Sequence, residues 1–390
     1  MVQLKHSVWI VVLLLACGPP SFSQQNEKAK DTSAIDVTGF WDSSHHWYDI
    51  RDEERIIVPL PNQQRYKPTD IKKIADNVLL FQKTNGGWPK NYDMLAILTP
   101  EQREAVEASR RDTNATNFDN GATHSQVLYL AKAYLRTGDN RYKEACLRGL
   151  DFILSAQYPN GGWPQSYPDT SGYRKYITFN DGAMIGVMEV LEAIVQDKPF
   201  FSFVDNKRRQ KVKAAFEKGV SCILKTQIRD NGILTAWCQQ HDNVNFLPRS
   251  ARSFELASTC NQEGAEVVLF LMSIEHPTKE IITSVESAVK WFEKSRIFGI
   301  RVKSVRAPKK EYRYHTTSID RVVVEDRKAP PIWARFYELG TDRPLFSNRD
   351  GKPVYSLAEV DRERRTGYVW YTYAPEEVLK DYPAWRKKVE

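Results

Sequence analysis

The residues with the most chemistry to offer stand in a short motif that occurs twice. Phe118-Asp119-Asn120-Gly121-Ala122 returns as Phe179-Asn180-Asp181-Gly182-Ala183, with acid and amide exchanged, and a looser copy follows as Asn261-Gln262-Glu263-Gly264-Ala265. Each copy precedes a run of helical period, so each sets polar side chains at the mouth of a helix. Two uses fit them. Asp and Asn ahead of a helix are ordinary N-caps, stabilising by roughly 1 kcal/mol each. Brought together, Asp119, Asn120, Asp181 and Glu263 would instead supply the oxygen ligands that suit calcium, or the acid and base of a glycosidase.

Arginine is the second conspicuous resource. Arg249 and Arg252 lie in an irregular stretch, Arg321 heads the short strand expected at Arg321-Val322-Val323-Val324-Glu325, and Arg335 is embedded in Trp333-Ala334-Arg335-Phe336-Tyr337. A guanidinium among aromatic rings needs a partner. Its planar fork matches carboxylates, so these residues suit either a polyanionic ligand or internal ion pairs with Asp and Glu.

The elements that must position these side chains are announced by a repeat. Leu79-Leu80-Phe81-Gln82 leads to Asn85-Gly86-Gly87-Trp88-Pro89-Lys90, and Leu154-Ser155-Ala156-Gln157 leads to Asn160-Gly161-Gly162-Trp163-Pro164-Gln165, 75 residues further on. A weaker copy runs Leu224-Lys225-Thr226-Gln227, then Asn231-Gly232, with Trp237 beyond. Each helical pattern ends at Gln and breaks at Asn-Gly, as a helix C-terminus should. Trp88, Trp163 and Trp237 fit two roles, as platforms for sugar rings or as plugs against the core, and the second is the commoner use of a Trp after a Gly pair.

Between the breaks the pattern is helix, turn, helix. Val127, Leu130, Ala131 and Tyr134 form one stripe, Thr137-Gly138-Asp139-Asn140 the turn, and Tyr142, Cys146, Gly149 and Ile153 the next stripe. Two further pairs follow, from Met184 to Ile223 and from Val267 to Phe292. Three helical hairpins cannot each bury their apolar faces alone, so they are expected to close side by side into an incomplete α/α barrel, a toroid of inner and outer helices. After Arg301 short strands and a hairpin turn at Asn348-Arg349-Asp350-Gly351 point to a small strand- and loop-rich C-terminal part.

Bulk composition excludes little. The 390 residues are 41% hydrophobic and 27% charged, ordinary for a globular chain, and a net charge of +7 without a Lys/Arg run gives no nucleic-acid arm. Lys5 and His6 precede an apolar run from Val8 to Ala16 that is short for a spanning helix, so residues 1–23 read as an export signal. Cleavage after Ser23 competes with lipidation at Cys17. Residues 24–36 read as a flexible spacer and 37–390 as one catalytic domain, periplasmic or secreted, or lipid-anchored through Cys17. Cys146, Cys222, Cys238 and Cys260 form no C-x-x-C pair, so no zinc or redox motif is present.

The Asn-Gly-Gly-Trp-Pro loops, Phe118-Asp119-Asn120-Gly121-Ala122-Thr123-His124, Thr178-Phe179-Asn180-Asp181-Gly182-Ala183-Met184, Arg321-Val322-Val323-Val324-Glu325-Asp326 and Trp333-Ala334-Arg335-Phe336-Tyr337-Glu338-Leu339 together resemble the family 10 polysaccharide lyases, which are pectate lyases. The resemblance implies a toroid, calcium as cofactor and β-elimination of polygalacturonate; a monomer is expected, and no protein partner is implied. Residue by residue it implies that Asp119 and Asp181 bind calcium and that Arg335 is the catalytic base. It places Asn120, Arg321 and one of Arg249 or Arg252 against substrate, and gives Glu263 no role. An arginine base is demanding, because the very high intrinsic pKa of a guanidinium leaves almost none neutral at pH 7. Calcium, neighbouring arginines and an apolar shell would each lower it. Two rival readings remain, an α/α-barrel glycoside hydrolase on acidic polysaccharide and a non-catalytic polygalacturonate binder.

Overall fold

The computed structural model describes residues 33–51 and 55–390. The expected signal, with Ser23 and Cys17, lies outside the described residues. Packed structure has begun by Ile35, 4% exposed, inside the stretch expected as spacer.

In chain order the first helices are α1 (Trp41–Asp49), α2 (Ile71–Phe81), α3 (Pro100–Ala108), α4 (His124–Thr137), α5 (Asn140–Ser155) and α6 (Ala183–Val195). They are followed by α7 (Asn206–Thr226), α8 (Asn261–Ser273), α9 (Lys279–Lys294), α10 (Arg362–Gly367) and α11 (Ala374–Val389). Helices α4, α6 and α8 pack in sequence as an inner row, and α2, α5, α7 and α9 as an outer row behind them. The pairs α4–α5, α6–α7 and α8–α9 are the three expected hairpins, and the arrangement is the expected toroid. Helix α2 extends the outer row.

The repeat is a packing device. Trp88, Trp163 and Trp237 are fully buried, and each indole Nε1 donates to a carbonyl of the outer helix before it: Val78 at 2.7 Å, Ile153 at 2.8 Å and Ile223 at 2.8 Å. Trp333 repeats the bond to Phe292 of α9 at 2.8 Å, making a fourth copy. A buried indole N–H left unpaired would be costly, so the carbonyl fixes where the ring plugs. The helix-ending glutamines lock neighbouring units. Gln82 donates to Gly86 in its own loop and to Ala145 of α5, Gln157 to Gly161 and Ala215 of α7, and Gln227 to Thr235 and Ser284 of α9. The tryptophans are plugs, and the sugar-platform reading of them is corrected: none is exposed to the cleft.

The C-terminal part differs from expectation in two respects. The strand expected at Arg321–Glu325 is the end of a longer one, Thr316–Glu325, paired antiparallel with Ile300–Glu311. The tip of this hairpin reaches the N-terminal segment, where the Arg51 N–H donates to the Tyr314 carbonyl at 3.0 Å. Helix α11, packed on α8 and α9, was not expected there. The turn at Asn348–Gly351 does join paired strands, Pro344–Ser347 and Pro353–Val354. All four described cysteines are buried free thiols.

Candidate active site

The two Gly-Ala motifs form one-turn 3₁₀ segments, Asp119–Gly121 and Asn180–Gly182, that lie against each other at the inner-helix mouths. In each, the residue before Gly is left-handed: Asn120 at φ 52° and Asp181 at φ 50°. Neither turn caps its helix through a side chain, and nor does Glu263, which sits within the first turn of α8. Genuine side-chain caps are found at Thr99, Asp139, Asp205 and Thr278. The cap reading of the motif is therefore wrong. The acids of the two turns are Asp119 and Asp181.

They open on a cleft of about 1420 Å³ that also receives Lys90, Gln165, Arg252, Arg321 and Arg335. Asp119 is 3% exposed. Its Oδ2 accepts from Lys90 Nζ at 2.5 Å and from Gln165 Nε2 at 2.8 Å, while Oδ1 is buried without a partner among the described residues. Burial works against ionisation of Asp119, but the Lys90 ammonium and the donated bonds outweigh it and hold the carboxyl below its ordinary value. Asp181 is the opposite case. Burial and the charge on Asp119 push it up to about 7, with Arg335 countering only in part.

Arg335 is 5% exposed and ion-paired through Nη2 to Glu263 Oε1, with Nε 3.2 Å from the same oxygen. Its Nη2 also reaches Asn180 Oδ1 at 3.2 Å and lies 3.9 Å from Asp181, and its guanidinium stacks 4.8 Å from the Tyr368 ring. Burial would lower its pKa, but Glu263, Tyr368 and Asp181 reverse this and hold it firmly charged. Arg252 is more open, with 45% of its side chain exposed, and makes a two-pronged contact with Glu255 at 2.8 and 2.5 Å. Arg321 donates to the Tyr368 carbonyl at 2.9 Å and meets no carboxylate among the described residues; burial lowers its pKa. Arg249 is not brought in: it is tied to Asp242 at 2.9 Å, away from the cleft lining.

The model of the pectic acid lyase family matches residues 82–379. The chain belongs to that family. It is a polysaccharide lyase, and two solved structures resemble it over most of their length. A mutant of a family 10 polysaccharide lyase from Cellvibrio cellulosa, in complex with trigalacturonic acid, is 32% identical with a TM-score of 0.67, covering 80% of this chain and 92% of its own. The family 10 polysaccharide lyase from the same organism is 31% identical with a TM-score of 0.66, covering 80% and 91%. No curated protein matches.

The candidate site contains residues that sequence reasoning passed over, and one positional rule finds three of them, together with Arg335. Lys90, Gln165, Gln239 and Arg335 each stand two residues after a plugging tryptophan. Lys90 and Gln165 bind Asp119; Gln239 and Arg335 bind Asn180 and Glu263, with Gln239 Nε2 2.6 Å from Asn180 Oδ1 and 2.9 Å from Glu263 Oε1. Glu255 and Tyr368 join them through a 2.8 Å hydrogen bond. Helix α1 precedes the family match, yet it lines the same cleft with Asp42 and His46, and Ser43 Oγ donates to the Asn120 carbonyl at 2.6 Å.

The donor set bears on calcium directly. Asp119 Oδ1 and Asn120 Oδ1 are buried oxygens without partners among the described residues, the atoms a hard cation seeks. Among the described residues no group of three or more His, Cys, Asp or Glu could hold a metal alone. These two oxygens would suit a calcium ion only if its remaining ligands were supplied by substrate and water.

Proposed function

We propose that the chain cleaves polygalacturonate by calcium-assisted β-elimination, leaving unsaturated oligogalacturonides. The observation that carries this reading is the convergence of Asp119, Asp181, Arg252, Arg321 and Arg335, from separate segments, on one cleft. Asp119 and Asp181, with Asn120, would hold the ion, which when bound neutralises uronate carboxylate charge and so acidifies the proton on C5. Arg321, which meets no carboxylate among the described residues, would bind a uronate carboxylate. The base takes the C5 proton, the C–H electrons form the C4–C5 double bond, and the C4–O bond breaks with its electrons on the glycosidic oxygen.

The resemblance gives the base to Arg335, but access favours Arg252. Only 6% of the Arg335 side chain is exposed, against 45% for Arg252, and a base must reach the C5–H. Arg335 then serves as a fixed cation between Asn180, Asp181 and Glu263. Glutamate partners hold both guanidiniums charged, so turnover rises with pH through the alkaline range. Arg252→Ala should abolish turnover and also lower the thermal midpoint, because the buried Glu255 loses its cation and keeps only the Tyr368 hydroxyl, whereas Arg252→Lys should lose turnover with the midpoint closer to wild type. Arg335→Ala should lose turnover and also about 3–5 kcal/mol of stability, because Glu263 is left buried and unpaired. Wild-type turnover in Arg252→Ala would return the base to Arg335.

One observation also fits hydrolysis. Two neighbouring carboxylates with pKa values pushed apart, Asp119 down and Asp181 up, are the pattern of a glycosidase acid and base. Mass analysis of products separates the two, since elimination leaves a product one water lighter than hydrolysis does. Export through residues 1–23 would suit either activity on a polymer outside the cell.

A further inference from the structure

The position two residues after the plugging tryptophan carries lysine in the first loop, glutamine in the second and third, Gln165 and Gln239, and arginine in the fourth, Arg335. Gln165 shows that a neutral amide is enough to donate to Asp119 Oδ2. Lys90 binds the same oxygen at 2.5 Å and adds a full positive charge. Its loop is anchored: the Trp88 indole is bonded to Val78, the Trp88 N–H donates to Thr123 Oγ1 at 3.1 Å, and Asn91 follows in a left-handed conformation at φ 64°. The base of the side chain is fixed, while its stem is flexible and 31% exposed at the cleft. A uronate carboxylate entering the cleft is a natural second partner for that ammonium.

We propose that Lys90 is an internal cation that holds Asp119 in the sugar-free protein and passes to a substrate carboxylate when the acidic chain arrives, so that calcium and substrate bind cooperatively. An ammonium and a divalent cation compete for one carboxylate, and each disfavours the other there. Before substrate arrives, Lys90 opposes the ion. Once a uronate draws Lys90 away, Asp119 offers both oxygens, and the uronate itself adds negative charge beside them. Coupling of this kind is reciprocal, so calcium strengthens sugar binding by the same factor. This inference rests on the proposal that polygalacturonate and calcium share the cleft, and it assigns Lys90 a positioning role.

Calorimetric titration of the full chain tests it, with calcium added with and without trigalacturonate, for wild type, Lys90→Gln and Lys90→Arg. Lys90→Gln, which installs the residue the second and third loops carry, should bind calcium about tenfold more tightly than wild type when sugar is absent. Trigalacturonate should raise wild-type calcium affinity by about tenfold or more, and that of Lys90→Gln by less than about threefold. Lys90→Arg should behave as wild type. Calcium should also raise the thermal midpoint of Lys90→Gln more than that of wild type. If Lys90→Gln fails to fold, Lys90→Met takes its place with the same expectation. Unchanged or weaker calcium binding in the neutral variant overturns the proposal, as does an absence of calcium binding in every variant. Failure of the lyase reading shows up separately, as wild type that binds calcium and sugar but forms no unsaturated product.

Discussion

The two Gly-Ala turns share one backbone and do different work. In both, an αR residue is followed by a left-handed one and then by glycine. The exchange of Asp and Asn puts the carboxylate at the αR position in the first copy and at the left-handed position in the second. The consequence is electrostatic. Asp119 meets donors from two loops and is held ionised, while Asp181 receives one bond, from the Asn180 side chain at 2.5 Å, and is pushed up to about 7. One copy thus offers a permanent charge and the other a charge that a bound cation would have to complete. A repeat can keep its geometry and divide its chemistry by one swap of neighbours.

The largest break in this comparison comes from removing either charge. Asp119→Asn and Asp181→Asn should each lower turnover by roughly 10²–10³-fold, the scale of losing one preorganised electrostatic contact. Comparable folding of both variants, measured by thermal midpoint, keeps the effect catalytic. Turnover spared in either would show that its copy is only structural.

The helices that follow the two turns give a second contrast. His124 heads the first helix, where the second copy has Ile185, and it is buried with Nε2 unpartnered among the described residues. Burial pushes its pKa down to about 4, against 6.5 in the unfolded chain, and His241 behaves likewise. The unfolded state therefore binds protons first on acidification. The stability that rests on a neutral His124 is complete above pH 6.5 and is lost as pH falls towards 4, by up to about 3 kcal/mol. Denaturant unfolding of wild type and His124→Gln between those pH values should show a shallower pH slope in the variant. Equal slopes would remove His124 as a cause.

The glycines sharpen the comparison by the smallest amount. Gly121 and Gly182 are both left-handed, at φ +76° and +68°. A Cβ on Gly121 would lie 2.3 Å from the Gly39 carbonyl oxygen, because the N-terminal segment is seated on that turn, whereas a Cβ on Gly182 meets nothing within 4 Å. Gly182→Ala should cost only the backbone strain, about 1 kcal/mol, and Gly121→Ala about 1–2 kcal/mol more, from the clash. Equal costs in chemical denaturation would mean that the segment around Gly39 is not held against the first turn.

How far the site was legible follows from where each signal lies. The toroid could be read because apolar periodicity and the Gln…Asn-Gly…Trp breaks are local, and the same contacts recur at Gln82, Gln157 and Gln227. Asp119 and Asp181 stood out through their repetition, and the same repetition misled towards helix caps, since cap and site residues share a sequence pattern. Lys90, Gln165 and Gln239 were equally local, yet the position after Trp that they share with Arg335 carries four side chains of three kinds, and only the fold shows that they face the turns. Glu263 was noticed but given no role, because its partner Arg335 lies 72 positions away. Nothing in the sequence separated Arg249 from Arg252. Their difference is the path of an irregular loop, which pairs Arg249 with Gln240 in a short strand and turns Arg252 towards Glu255.

The central claim is that both turns serve one calcium-assisted elimination, and ultraviolet absorbance on polygalacturonate tests it most directly. With wild type, absorbance from the new C4–C5 double bond should rise with calcium and stop with chelator, and neither Asp119→Asn nor Asp181→Asn should restore it. No rise with calcium present, or a rise that chelator leaves untouched, would contradict the account.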